Sequence, residues 1–391
     1  MKQEMVTFLS VLKDDILDLT KYLYNNPEES FYEYKAYNYI SGLLKGFGFK
    51  VESNYLNMPT SFYAQYGEGH PKICFICEYD ALKEKGHVYG YNAESAISTA
   101  AALALSRIIP KVGGSCIVIG CPGEILSGSK ITMLEQGTFE DLDAVLMVQP
   151  HVVTCESGNS MAVLPLQIKY TENQNNNDIT GNYSALDACL FTFDALNMLS
   201  KGFGDNCFIN GVNVNSINDA FPQSVEAKFC LRAPSSMIAN AIEDKIKNFI
   251  NMTCSLLNIS SELHLYGMPC KELITNSTLD RLFSHNLKES GIINIDGVKN
   301  IYSPLTLGNV SHVVPCIHPY VSIVENNSIK YGTKQFADAT ISAYAQDVIM
   351  KSAAALAFTA FDLISKQSLI GEAKTELKSN TTNMKYSEHY I

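Results

Sequence analysis

No stretch of about 18 consecutive apolar residues occurs in the 391-residue chain, so no membrane-spanning helix is expected. Positive charge is also scarce. The 29 Lys and Arg stand against 40 Asp and Glu, a net charge of -11, which argues against nucleic acid or an anionic membrane surface as partner. The opening "MKQEMVTFLSVLKDD" is a short amphipathic pattern broken by Lys and Asp, and no apolar leader with a cleavage site follows it. The 11 cysteines lack the even count and spacing of a disulfide framework. They read as reduced thiols of a cytoplasmic protein. Cys74 and Cys77 form a CxxC in a strand-like run, where side chains three apart face opposite ways. Shared metal ligation is therefore disfavoured against buried core thiols.

What is present is apolar mass, 46% of residues, too much chain for one ordinary core, so two domains are expected. Periodicity predicts helices over 4–23 and 28–47, strands over 49–54, 61–66 and 71–77, then a helix over 93–108. A strand at 115–121, a helix near 129–136 and a strand at 143–148 follow. That alternation predicts an α/β fold, with a mixed, largely parallel sheet flanked by helices. Asp80, Glu124 and Gln149 fall just beyond strand ends, where sites gather in such sheets. From about residue 163 the order becomes β-α-β-β-α-β: a strand, helix 184–201, strands 208–214 and 225–231, helix 236–257 and strand 261–267. That is the ferredoxin-like unit. The chain is thus expected to divide into 1–162 with 271–391, and an inserted α+β domain over 163–270. A helix at 276–290, a strand at 320–325 and a helix at 338–366 complete the first domain. The polar end "KTELKSNTTNMKYSEHYI" reads as a loose tail.

Several stretches, in order and over nearly the whole chain, carry a resemblance: "NNPEESFYEYKA", "EYDAL…GH..GYN", "CPGE…GSKITMLEQGTFEDLDAVLMVQP", "FCLRAPS", "GNVSHVVPCIHPY" and "GTKQFADA". Together they resemble the di-metal (zinc/manganese) peptidase and amidohydrolase family of aminoacylases and carboxypeptidases. The nearest branch is the dipeptidase-like and aminobenzoyl-glutamate-hydrolase-like one. The resemblance implies a two-metal site that turns a bridging water into hydroxide, with a glutamate as general base. It also implies a lid domain that dimerises.

Carried over position by position, the implied ligands are altered. The Cys is Tyr89 and the following His is Tyr91; the second Glu of the pair is Ile125; the His of the His-Pro turn is Gln149; the late His is Gly332. The implied general base survives as Glu124. The lid-domain His that polarises the substrate carbonyl is absent, its place falling near Asn176. The Ser-Thr-Asp part of the late loop is Pro304–Thr306, although "GNVS" remains. A neutral phenol, with a pKa about 10, is a poor ligand for zinc or manganese. Replacing a ligand Glu by Ile125 also removes a charge that would be costly once unpaired. No metal and no cofactor is therefore expected.

The candidates that remain are Asp80, Glu124, Tyr89, Tyr91 and His87 for chemistry, and Arg232, Asn309, Gly308 and Gln149 for ligand binding. Asp80 and Glu124 read either as a satisfied buried pair or as an acid/base pair with one raised pKa. Arg232 reads either as a surface ion-pair partner or, through the resemblance, as a clamp for a ligand carboxylate. Gly308 permits close backbone approach beside Asn309. Three functions follow: a metal-degenerate homologue that binds an acylated amino acid, a peptide-like ligand or a protein partner; a metal-free enzyme acting on an acyl, amide or ester substrate; or an amidohydrolase with atypical ligands. The expected assembly is a homodimer through the lid domain.

Overall fold

A computed structural model describes residues 1–126, 128–173, 183–216, 224–298, 303–326 and 328–387. It divides into two compact units: 1–159 with 273–300 and 309–391, and 160–272 with 301–308. The position near Asn176 lies outside the described residues.

The strands of the first unit's main sheet are β1 (Lys50–Ser53), β2 (Phe62–Glu68), β3 (Lys72–Glu78), β4 (Gly114–Cys121), β5 (Ala144–Leu146) and β11 (Cys316–Ile317). They lie in the order β1-β2-β4-β3-β5-β11. The pairs β4–β3, β3–β5 and β5–β11 are parallel; β1–β2 and β2–β4 are antiparallel. The expected mixed, largely parallel sheet is therefore present. Two short strands, β6 (Gln149–His151) and β12 (Tyr320–Ser322), pair in parallel beyond it. The helices are α1 (Lys2–Asn25), α2 (Tyr34–Gly46), α3 (Tyr91–Ser106), α4 (Ile109–Val112), α5 (Ser129–Glu135), α8 (Ser277–Glu289), α10 (Lys334–Ala339), α11 (Ala343–Ser365) and α12 (Gln367–Ser387).

The core is built around α3. Every residue from Asn92 to Ser106 is buried, and most are Ala, Ser or Thr. Small side chains let α1, α11 and β3 close on it from different sides. The helix starts at Gly90, whose φ of 76° turns the chain out of the preceding loop.

Three expected boundaries need correction. The second helix begins at Tyr34 rather than 28, because the Glu28 carboxylate reaches forward to cap it, accepting from the Lys35 and Ala36 amides. The helix at 338–366 is two helices, α10 and α11, with the Ser342 hydroxyl capping the second. The polar tail from Lys374 is helical to Ser387, and its Leu377 is buried. Among the described residues α11 is long and apolar enough to cross a membrane, despite Asp347, Lys351 and Asp362; 72% of its most apolar stretch is buried inside the protein.

The second unit carries β7 (Ala162–Glu172), α6 (Ala185–Leu199), β8 (Phe208–Ser216), β9 (Ser224–Ala233), α7 (Ser236–Leu257) and β10 (Ile259–Leu265). Its antiparallel sheet has the order β10-β7-β9-β8. That is the ferredoxin-like arrangement, since each helical crossover skips one strand. Strand β9 alternates buried with half-buried residues along its length, so one face meets α6 and α7. The short helix α9 spans Leu307–Ser311.

Candidate functional site

Strand β3 ends on Glu78, and the next turn presents Asp80. The Asp80 Oδ2 accepts from the Ser30 hydroxyl at 2.7 Å and from the Ile125 amide at 2.9 Å; Oδ1 has no hydrogen-bond partner among the described residues. Glu124 follows the end of β4, and α5 brings in Lys130. The Lys130 ammonium, with no exposed surface, donates to Glu78 Oε1 at 2.5 Å and to Glu124 Oε2 at 2.6 Å. Behind Glu78 lies Glu94 of α3, also fully buried. It accepts from the Glu78 amide at 2.7 Å and the Ser98 hydroxyl at 2.9 Å.

Four carboxyl groups thus share one buried cation, and their electrostatics follow. Burial, helped by the charge of Glu124, pushes the Glu78 carboxyl up to about 8. Burial also raises Asp80, against the hydrogen bonds that lower it, and raises Glu94 well above the carboxylate range. Burial opposes the charge on Lys130, but the carboxylates of Glu124 and Glu78 outweigh it and hold the ammonium charged. The cluster is neutralised by this lysine and by protons.

Aromatic groups line the other side. The rings of Tyr89 and Tyr91 are 6.1 Å apart, and Tyr89 stands 5.7 Å from Tyr331. Tyr331 lies 4.5 Å from the His151 ring; His151 and His318 both pack edgewise on Tyr320. Burial and the neighbouring carboxylates of Glu78 and Glu124 push Tyr91 well above the ordinary phenol range, so it stays a protonated donor. Gln149 spends its amide on the backbone, donating from Nε2 to the Tyr89 carbonyl at 2.7 Å. Gly332 donates its amide to the Val88 carbonyl and lies against the Tyr89 ring.

The structure therefore gathers Asp80, Tyr89, Tyr91, Glu124, Ile125, Gln149 and Gly332 around one locality of the first unit. His87 is turned away from the carboxylates. Its Nε2 bonds the Leu23 carbonyl at the end of α1, and burial depresses its pKa to about 4. Asn309 is buried in the first unit. Arg232, on β9, and Gly308 belong to the second unit. A side chain on Gly308 would meet the Lys271 carbonyl at 2.1 Å, so its missing Cβ serves packing within that unit.

Sequence reasoning missed Lys130, Glu78, Glu94, Tyr331 and His318. Glu94 offered a signal, as the lone charge in the small-residue run "YNAESAISTAAALALS". A charge kept inside a helix buried on all sides needs a partner. Lys130 offered none, because a lysine in a first helical turn usually faces solvent.

Known proteins match this chain over most of its length. It is 29% identical over 386 residues to Xaa-Arg dipeptidase of Mus musculus, covering 92% of this chain and 88% of that protein. It is 25% identical over 302 residues to one component of the p-aminobenzoyl-glutamate hydrolase of Escherichia coli, covering 70% and 62%. Among solved structures, a dinuclear metal binding peptidase from Bacillus subtilis superposes with a TM-score of 0.67 at 13% identity, covering 90% and 99%. The fold is that of the peptidases and amidohydrolases. The homologues are peptidases and amidohydrolases too, which supports the general family for this chain. No family model matches it.

The metal pair that the fold implies can be tested against the residues in place. Two phenols, a carboxamide already donating to the backbone, an isoleucine and a glycine do not fit a pair of divalent cations. Lys130 also lies where it repels any cation approaching Glu78 or Glu124.

Proposed function

We propose that this peptidase/amidohydrolase-like chain works without a metal pair, and that its cleft binds an acylated amino acid or peptide-like ligand. One observation carries the reading: the buried Lys130 ammonium bridging Glu78 and Glu124. A carboxylate engaged at 2.6 Å by an internal ammonium already has its counter-charge. The relatives support the ligand class, since both names denote hydrolysis of an amide-bonded amino acid. The Tyr91 phenol supplies a fixed donor for a ligand carbonyl. Asn309, buried in the same unit, is the candidate for a further polar contact.

A second reading rests on Tyr91 and Glu124 standing in one charged neighbourhood. A protonated phenol beside a carboxylate is an acid/base pair for metal-free acyl, amide or ester chemistry.

Metal analysis of protein purified without chelator tests the first reading. No stoichiometric zinc, manganese or nickel is expected, and no melting-temperature change on adding EDTA. Stoichiometric metal that supports hydrolysis of an acyl amino acid would overturn it. The variants Glu124→Gln and Tyr91→Phe separate the readings. In the first, Glu124→Gln keeps ligand binding within a few-fold and Tyr91→Phe weakens it by about the worth of one hydrogen bond; in the second, both abolish turnover.

A further inference from the structure

Beside Asp80 and Gly123 the chain adopts a conformation that its side chain disfavours. Phe31 has a φ of 67°, the left-handed region in which glycine is at ease and an aromatic residue is not. The conformation is held from both sides. One oxygen of the buried Glu33 carboxylate accepts from the Phe31 amide at 2.8 Å and from the Gly123 amide at 2.9 Å. The other accepts from the Thr60 hydroxyl at 2.7 Å. The preceding residue, Ser30, bonds Asp80. The Phe31 ring lies directly on the Cα of Gly123, where an added Cβ would meet ring carbons at 2.4 Å.

This ring is not core. It is 41% exposed and packs on the backbone of Gly123, the residue that leads into Glu124. The turn alone is better served by glycine. Backbone strain held in place by its surroundings points to a site. Glu124 accepts from the Lys130 ammonium and Asp80 Oδ2 from the Ser30 hydroxyl, and the exposed part of Phe31 offers an aromatic surface.

We propose that Phe31 is a specificity-determining residue: its ring receives an uncharged aromatic or branched aliphatic side chain of the ligand. The proposal deepens the ligand-binding reading above and rests on it for the rest of the ligand. An aromatic pair here is worth about three- to tenfold in affinity.

The test uses two variants and three probes. Phe31→Gly removes the ring and suits the backbone; Phe31→Trp keeps an aromatic and, in a chain with no tryptophan, makes a single fluorescent reporter. The probes are N-acetyl-phenylalanine, N-acetyl-alanine and benzyl alcohol, read by calorimetry, by saturation-transfer NMR and by the indole signal. N-acetyl-phenylalanine is expected to bind more tightly than N-acetyl-alanine, and Phe31→Gly to erase the difference while the protein stays folded. Equal affinity for the two, or a preference unchanged in Phe31→Gly, overturns the proposal. Benzyl alcohol separates it from the broader reading. If benzyl alcohol perturbs Phe31→Trp and neither acyl amino acid binds, the subsite stands and the acyl-amino-acid reading falls. If benzyl alcohol leaves the indole signal unchanged, the subsite falls.

Discussion

At the scale of the residue, the buried carboxylate cluster is governed by Lys130. An ammonium taken wholly out of water survives only if its carboxylates repay the lost hydration. Glu78 and Glu124 do so at 2.5 and 2.6 Å. Lys130→Met leaves them buried without a cation, and a loss of roughly 3–5 kcal/mol in folding stability is expected near neutral pH. Protonation then decides the pH dependence. Glu78 in the folded protein is pushed up to about 8, against 4.5 for an ordinary glutamate. The folded state therefore holds the extra proton between those values. This group's contribution is fully present below 4.5 and lost as pH rises through 8. His318 and His87 act in the opposite sense. Burial depresses them to about 3 and about 4, so their contribution is present above 6.5 and lost as pH falls. Urea midpoints of wild type and Glu78→Gln at about pH 5 and about pH 8 isolate the Glu78 contribution, and the variant should lose less stability on going to the higher pH. Lys130→Met should be more damaging at the higher value, where no proton replaces the missing ammonium.

At the scale of the element, the deciding feature is how α3 is entered. Gly90 carries a positive φ between Tyr89 and Tyr91, and a Cβ there would lie 3.2 Å from both the Phe336 ring and Pro150. Gly90→Ala is expected to cost roughly 1–3 kcal/mol, from strain together with the tight contacts. Thermal denaturation checks the stability, and the ligand affinity of the same variant reports whether the two phenols have moved. The run "GHVYGYNAESA" made this turn and helix legible, because Gly-Tyr-Asn before a small-residue stretch is a helix start. It did not show that His87 would face α1 rather than the site. A residue's side of a turn depends on which helix packs against it, and α1 lies some sixty residues away in the chain. The second helix was misplaced for a similar reason. Glu28 looked like a first-turn acidic residue, whereas its carboxylate caps the helix from seven residues upstream.

At the scale of the whole molecule, the second unit bears on assembly. We propose a homodimer through this unit. The outward face of α6 exposes Leu186, Leu190, Phe191 and Met198, and edge strand β8 exposes Phe208 and Val214. An apolar helix face with a strand at the edge of the described sheet is a surface that a second copy can cover. Light scattering after size exclusion should give twice the chain mass, and Leu190→Glu with Phe208→Asp should return it to one. A monomeric wild type at micromolar concentration would remove the proposal.

The sequence by itself determined the alternation of strands and helices, the ferredoxin-like order after residue 163 and the chemical poverty of the five implied ligand positions. Those features are local or periodic, or consist in what residue type stands where. Only the tertiary structure decided what neutralises the buried carboxylates. Glu78, Glu94, Glu124 and Lys130 lie on β3, α3, the loop after β4 and α5, and no spacing relates them. Their meeting depends on parallel strands ending at one edge of the sheet and on a helix of small residues that lets the chain close behind them. Burial then turns an ordinary lysine into the counter-ion of the site, because its charge acts on the carboxylates at full strength only where water is excluded.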